Sequence, residues 1–243
     1  MAKTYFGSNL NNVIHRLLLI LLFTSFLLSC SFPVQAQTDI RSFPLQEVQS
    51  PVTPKGLIFY ITGDGGWNAF SKDLCGTLAG KGFFVVALDA KEYFWDARTP
   101  ETFSNDLSFI VHFYQSKQKI KDWFLAGYSF GADVAPFTLS RINENLISLP
   151  KACVLLDPSP STDFEIKLTD MLHFTEVVRK YDVVKEIQKT SCPTLCVYPL
   201  NEQRTIPETK HPLIRVQKLP GDHRFDHNIP AVAESILSFI ILF

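Results

Sequence analysis

Three kinds of side chain in this sequence could together cut an ester: a serine between two glycines, a histidine in a late turn-rich loop, and carboxylates at the ends of apolar runs. The serine is Ser129, in Gly127-Tyr128-Ser129-Phe130-Gly131, a G-x-S-x-G spacing that follows the apolar run 123–127 and precedes a helical pattern. On a sharp strand-to-helix turn, flanking glycines remove the Cβ atoms that would collide with neighbouring backbone, and the serine Oγ is pushed out above the sheet edge. The helix that follows aims unpaired N–H groups and the positive end of its dipole at the same spot. That environment suits the negative charge that develops during acyl transfer.

A serine nucleophile needs a base, and chains built around this turn run in the order nucleophile, acid, histidine. Of the six histidines, His223 fits the last place. It follows the final strand-like run in Leu219-Pro220-Gly221-Asp222-His223-Arg224-Phe225-Asp226, whereas His227 leads into the next helix. Two carboxylates stand open as the acid. Glu202 is the first after the run 194–198, where the acid usually falls, and Asp157 ends the preceding run, 152–157. Either would orient the imidazole and stabilise the imidazolium. For the oxyanion, Phe130 supplies the N–H after the nucleophile, and Gly65 or Gly66 supplies a second from Thr62-Gly63-Asp64-Gly65-Gly66-Trp67. Adjacent glycines there let backbone approach a tetrahedral intermediate. The loop carries neither G-x-G-x-x-G nor a P-loop lysine, so it does not read as a nucleotide site. The spacing Cys192-x-x-x-Cys196 lacks nearby histidines and argues against zinc. No metal or other cofactor is expected.

These residues must be held by a sheet. The apolar runs 57–62, 83–89, 123–127, 152–157, 194–198 and 214–219 read as buried strands. Segments of helical spacing lie between them. The clearest carries Phe103, Leu107, Ile110, Val111 and Tyr114, and opens with Thr99-Pro100-Glu101 as N-cap, first-turn proline and first-turn acid. Such alternation predicts an α/β fold with a mostly parallel sheet and helices on both faces. Pro136 should break or kink the helix after Ser129. Residues 158–190 form a small insert after the strand ending at Asp157, and its charges, Arg179, Lys185 and Glu186 among them, read as solvated surface.

Charge is balanced, with 23 Lys and Arg against 24 Asp and Glu. The basic residues are scattered and form no stripe, so nucleic acid is not expected as a direct ligand. At the N-terminus Lys3, His15 and Arg16 precede an uncharged apolar run at 17–28, a signal-peptide pattern too short for an ordinary span. Three outcomes fit: cleavage after Ala36 in Val34-Gln35-Ala36, lipidation of Cys30 in the lipobox-like Leu27-Leu28-Ser29-Cys30, or an uncleaved anchor. Each places the body of the chain outside the cytoplasm. The organisation is then a signal peptide at 1–36, a polar, proline-bearing tether or loose edge segment at 37–54, and a single domain at 55–243. Cys75, Cys153, Cys192 and Cys196 remain in that domain, and Cys153 and Cys196, lying in strand-like runs, read as buried thiols.

Four motifs in order carry a further likeness: Gly63-Asp64-Gly65-Gly66-Trp67, Tyr93-Phe94-Trp95-Asp96-Ala97-Arg98-Thr99-Pro100-Glu101, Gly127-Tyr128-Ser129-Phe130-Gly131-Ala132-Asp133, and Asp163-Phe164-Glu165. With these, nearly all of the mature chain resembles the VirJ and AcvB family of bacterial virulence proteins. The resemblance implies an exported, α/β-hydrolase-like fold with the family serine at Ser129 and the late histidine at His223. It also implies a link to type IV secretion components, and hydrolysis of lysyl- or alanyl-phosphatidylglycerol at a membrane surface. On that reading Asp64 and Asp133 are candidate partners for the substrate ammonium, Arg98 for a lipid phosphate, and Trp67 for a substrate contact. Two departures stand out. Pro199-Leu200-Asn201-Glu202 replaces a glycine and a cluster of acids, and His223-Arg224 replaces paired histidines before Phe225-Asp226. The alternatives are a non-catalytic periplasmic chaperone or binding factor for secretion substrates, and an esterase for another acyl ester.

Overall fold

The computed structural model describes residues 15–18, 39–166, 179–201 and 211–243. The chain divides into a unit at Met1–Thr38, of which the helical residues 15–18 are described, and a unit at Asp39–Phe243 that holds everything below. Of the apolar run at 17–28, only Leu17 and Leu18 are described, and the processing sites at Cys30 and Ala36 lie outside the described residues. No helix among the described residues is long and apolar enough to cross a membrane.

Seven strands form the main sheet: β1 (Leu45–Val48), β2 (Leu57–Ile61), β3 (Phe84–Leu88), β4 (Trp123–Tyr128), β5 (Cys153–Leu156), β8 (Thr194–Pro199) and β9 (Ile214–Leu219). Their order is β1-β3-β2-β4-β5-β8-β9. All neighbours run parallel except β1, which pairs antiparallel with β3. The five inner strands are buried at every position, as strands covered on both faces must be. The period-2 alternation of the strands divides the core. Leu57, Phe59, Ile61, Phe84, Val86 and Leu88 join α3 (Pro100–Gln118) on one face. Ile58, Tyr60, Val85 and Ala87 join α1 (Ala69–Gly80) and α7 (Ile229–Ile240) on the other.

Local chemistry fixes the helix ends. The Thr99 hydroxyl accepts the Thr102 N–H at the start of α3, with Pro100 in the first turn, and Asn68 caps α1 through the Ser71 N–H. After Ser129 the helix is broken as Pro136 requires, into α4 (Phe130–Val134) and α5 (Pro136–Leu139). The segment 37–54 supplies β1, a four-residue edge strand with two exposed side chains. The insert begins as a two-stranded hairpin, β6 (Ser161–Thr162) with β7 (Tyr181–Asp182), followed by α6 (Val183–Ile187). One expectation fails there. Glu186 is not solvated surface: it is buried, and its carboxylate takes Arg141 at 2.6 Å, Lys189 at 2.7 Å and Ser140 Oγ at 3.0 Å.

Candidate active site

Ser129 stands at the C-terminal end of central strand β4 with φ 52° and ψ −120°. An L-residue holds such a conformation at a cost of about 1–3 kcal/mol, so its surroundings must impose it. Ser129 N–H donates to Leu156 O on β5 at 2.8 Å, and its carbonyl accepts the Asp133 N–H at 3.0 Å as α4 begins. A Cβ at Gly127 would lie 2.4 Å from Gly131 O, and one at Gly131 would lie 2.2 Å from Ile61 O. Both glycines are therefore demanded by backbone packed on backbone. Gly63 is equally near the nucleophile, since a Cβ there would sit 3.3 Å from Ser129 Cβ. Ser129 Oγ makes no hydrogen bond among the described residues; in unliganded hydrolases the serine-to-base bond often tightens only with substrate.

His223 follows β9, two residues after Gly221, whose φ is +115°. Its Nδ1 is hydrogen-bonded to Asp157 Oδ2. Of the two carboxylates open from the sequence, Asp157 is the one the structure brings to His223, while Glu202 lies outside the described residues. The sheet order explains the placement. β5 is the direct neighbour of β4, Leu156 takes the Ser129 N–H, and Asp157 is the next residue, wholly buried and tied by its own N–H to Val197 O at 2.7 Å. With Nδ1–H donating to a carboxylate, the neutral imidazole presents Nε2 as a proton acceptor.

A contact that sequence reasoning missed lies beside this pair. Tyr128 Oη donates to the His223 carbonyl at 3.0 Å, and the two rings are 5.3 Å apart with 31° between their planes. The sole sequence signal was its place between Gly127 and Ser129.

The oxyanion donors separate. The N–H groups of Phe130 and Gly65 are not engaged in any hydrogen bond among the described residues, and neither is that of Asp64. Gly66 is a correction: its N–H donates to Gly63 O at 3.0 Å and closes a turn. Gly66 serves the turn through its φ of +66° and its missing side chain, since a Cβ would fall 2.6 Å from Asp89 Oδ1.

The four expected substrate contacts also part company. Asp64 is half-buried, its carboxylate has no hydrogen-bond or ion-pair partner among the described residues, and its charge acts on the Tyr128 phenol. Trp67 packs against the second core, and its N–H donates to Asp89 Oδ2 at 3.1 Å. Asp133 is buried, and its Oδ1 accepts the Ser159 N–H at 2.5 Å, which anchors the loop after β5. Arg98 lies over the Tyr93 ring at 5.0 Å, and its N–H donates to Phe164 O at 2.8 Å. With Ile166 N–H to Phe94 O at 2.8 Å, this stitches the insert to the 93–98 segment. Phe94 in turn packs on Phe130 at 5.1 Å between ring centroids.

The four cysteines of the domain are buried free thiols. Burial pushes Cys196 up to about 12, which makes it a packing group rather than a reactive one. Among the described residues no three His, Cys, Asp or Glu side chains gather as a metal site would need.

A mostly parallel sheet with a strained serine elbow after its central strand, and a carboxylate and histidine paired at the ends of later strands, defines the α/β-hydrolase fold. Within that class the chain belongs to the bacterial virulence protein (VirJ) family, whose profile matches residues 56–241. Solved structures agree on the fold. Est1E from Butyrivibrio proteoclasticus is similar at 16% identity and a TM-score of 0.57, over 81% of this chain and 91% of that one. A putative dienelactone hydrolase from Klebsiella pneumoniae is similar at 13% identity and a TM-score of 0.59, over 83% and 93%. A proline iminopeptidase from Mycobacterium smegmatis is similar at 12% identity and a TM-score of 0.57, over 82% and 95%. No curated protein sequence matches the chain.

Proposed function

We propose that this chain is an exported serine ester hydrolase that removes the aminoacyl group from lysyl- or alanyl-phosphatidylglycerol on the periplasmic face of the membrane, in support of type IV secretion. The observation that carries the hydrolase reading is the hydrogen bond from His223 Nδ1 to buried Asp157, on the strand beside the Ser129 elbow. In the proposed reaction His223 Nε2 takes the Ser129 proton as Oγ attacks the ester carbonyl. The Phe130 N–H, with Gly65 or Asp64 N–H, receives the oxyanion. The glycerol hydroxyl leaves with the proton from His223, and a water activated by the same imidazole then frees the amino acid and restores Ser129. An aminoacyl ester presents an ammonium group, and the carboxylate beside the glycine loop with no partner among the described residues is Asp64. The VirJ membership and the signal-peptide pattern support the compartment and the virulence setting.

Labelling of the mature chain with a fluorophosphonate, alongside hydrolysis of lysyl-phosphatidylglycerol in vesicles, tests this reading. Expected are labelling and turnover in the parent and loss of both in Ser129→Ala. A parent that neither labels nor hydrolyses, with secretion support intact in Ser129→Ala, would establish a binding factor instead. Labelling together with turnover of simple acyl esters only would retain the hydrolase and discard the aminoacyl lipid.

A further inference from the structure

We infer that Tyr128 is a positioning residue for the catalytic base, fastening the main chain and ring of His223 to the strand end that carries Ser129. The inference rests on the hydrolase reading above. It starts from the contacts of one side chain: the Tyr128 hydroxyl donates to the His223 carbonyl at 3.0 Å, and the two rings lie 5.3 Å apart at a 31° tilt. Phe70 of α1, itself buried, packs on the same phenol ring at 4.5 Å between centroids. The tyrosine is thus held by the core while it holds the histidine.

The histidine loop needs such a hold. Just after His223 three consecutive residues lie in the left-handed region, Phe225 at φ 54°, Asp226 at 50° and His227 at 56°. L-residues resist that conformation, and a run of them has little intrinsic reason to stay in place. The loop's own hydrogen bonds run from Asp222, whose carboxylate accepts the N–H groups of Arg224 and Asp226, to the turn itself, where His227 N–H donates to Arg224 O and Asn228 N–H to Phe225 O. They do not reach the His223 carbonyl. Tyr128 does, from across the site. Burial raises the Tyr128 phenol well above its ordinary value, so the hydroxyl remains a donor at every working pH.

A phenylalanine would fill the same core volume, so packing alone does not call for the hydroxyl. What the hydroxyl adds is a fixed relation between two loops. Tyr128 is bonded covalently to Ser129 and by hydrogen bond to His223, so nucleophile and base are referred to one rigid ring. Productive geometry of a nucleophile and its base is sensitive to displacements of about 1 Å, and Tyr128 adds a main-chain tie at His223 itself to the side-chain tie that Asp157 provides.

The test uses the full mature chain with Tyr128→Phe, which removes one oxygen and keeps the ring, and Tyr128→Leu, which removes the ring too. Three quantities are read: the second-order rate of fluorophosphonate inactivation, kcat and KM for p-nitrophenyl acetate, and the low-field proton NMR signal of His223 Nδ1–H. Tyr128→Phe should slow inactivation and lower kcat by about tenfold, the size of one net hydrogen bond, with KM unchanged. It should also shift or broaden the Nδ1–H signal at an unchanged melting temperature. Parental rates and a parental signal in Tyr128→Phe would overturn the inference. If the parent itself fails to label, the hydrolase reading falls, and the Nδ1–H signal still decides the tie between Tyr128 and His223. Should Tyr128→Leu unfold, Tyr128→Phe carries the test alone.

Discussion

Replacing Asp157 by asparagine tests the site most directly, because it exchanges one oxygen for a nitrogen at a wholly buried position. In the proposed reaction, the proton that His223 takes from Ser129 makes an imidazolium only on the way through the transition state, so a charge beside Nδ1 lowers the barrier without tightening substrate binding. Two unit charges about 4 Å apart, at the effective dielectric near 20 that suits such sites, attract by about 4 kcal/mol. That corresponds to roughly three powers of ten in rate. An asparagine amide can also donate to Nδ1 and force the proton onto Nε2, the wrong tautomer for a base, which brings the expected loss in kcat to about 10⁴-fold. KM should hold. Stability should hold or rise, since a buried charge is removed and the volume is kept. The assay is kcat for p-nitrophenyl acetate with a thermal melt, run beside Glu202→Gln, which should stay within about threefold of the parent. A folded Asp157→Asn chain that retains a tenth of parental kcat would refute the argument, and a thousandfold loss in Glu202→Gln would move the acid to that residue.

Other consequences follow from the same contacts. Gly131→Ala would bring a Cβ within 2.2 Å of Ile61 O, so the elbow or β2 must shift; a loss of about 3 kcal/mol or more in denaturant unfolding is expected, and a loss below about 1 kcal/mol would mean the elbow is softer than its packing indicates. For Glu186, burial pushes the carboxyl up, but hydrogen bonds from Lys189, Arg141 and Ser140 outweigh it and hold the net value below the ordinary one. A depressed folded value means the stabilisation is complete above the unfolded pKa of about 4.3 and is lost as pH falls through the lower folded value. Arg141→Ala should therefore cost about 2 kcal/mol at neutral pH, less than a fully orphaned charge because Lys189 and Ser140 remain, and should raise the midpoint of acid unfolding; an unmoved acid midpoint would remove Glu186 from the acid response. Asp64→Asn should reduce hydrolysis of lysyl esters more than that of neutral esters of similar size, measured as the ratio of kcat/KM, and equal losses would leave Asp64 as a loop-shaping residue.

The inner strands were legible because each is a continuous apolar run with both faces covered, and the alternation of their side chains needs no knowledge of neighbours. β1 was not, since four residues with two exposed side chains carry no periodicity, and only the pairing of Leu45 with Leu88 through Val48 with Val85 makes them a strand. Ser129 and His223 could be placed from turn residues and chain order, which are local properties. The acid could not. Glu202 and Asp157 both follow strand-like runs in the sequence, and the meeting of Asp157 with the imidazole depends on where the loop after β9 folds back, a relation between residues 66 positions apart. The turn closed by Gly66 N–H and the anchor of Asp133 on Ser159 N–H were hidden for a related reason: they are partnerships that residue type alone does not announce.

Backbone strain gathers around this site. Among the described residues six that are not glycine have φ in the left-handed region, and one of them, Lys119, ends α3 in an ordinary left-handed cap. The other five are Ser129, Asp157, Phe225, Asp226 and His227. They are the proposed nucleophile, the acid, and the turn that follows the base. Three of them are held by rigid neighbours, Ser129 by β5 and by glycines on both sides, Asp157 by Val197 on β8, and Phe225 by burial in the core, while Asp226 and His227 are tied inside the turn by their N–H groups to Asp222 Oδ1 and Arg224 O. At about 1–3 kcal/mol apiece, such conformations persist only where the surrounding sheet over-determines them. A chain selected for stability alone would relax these positions, because nothing in the sheet requires strained residues directly after β4 and β5 and in the turn beyond His223. That strain falls on the serine and the carboxylate and just beyond the histidine, at the same end of the sheet, is physical support for catalysis that rests on neither the glycine motif nor the family membership.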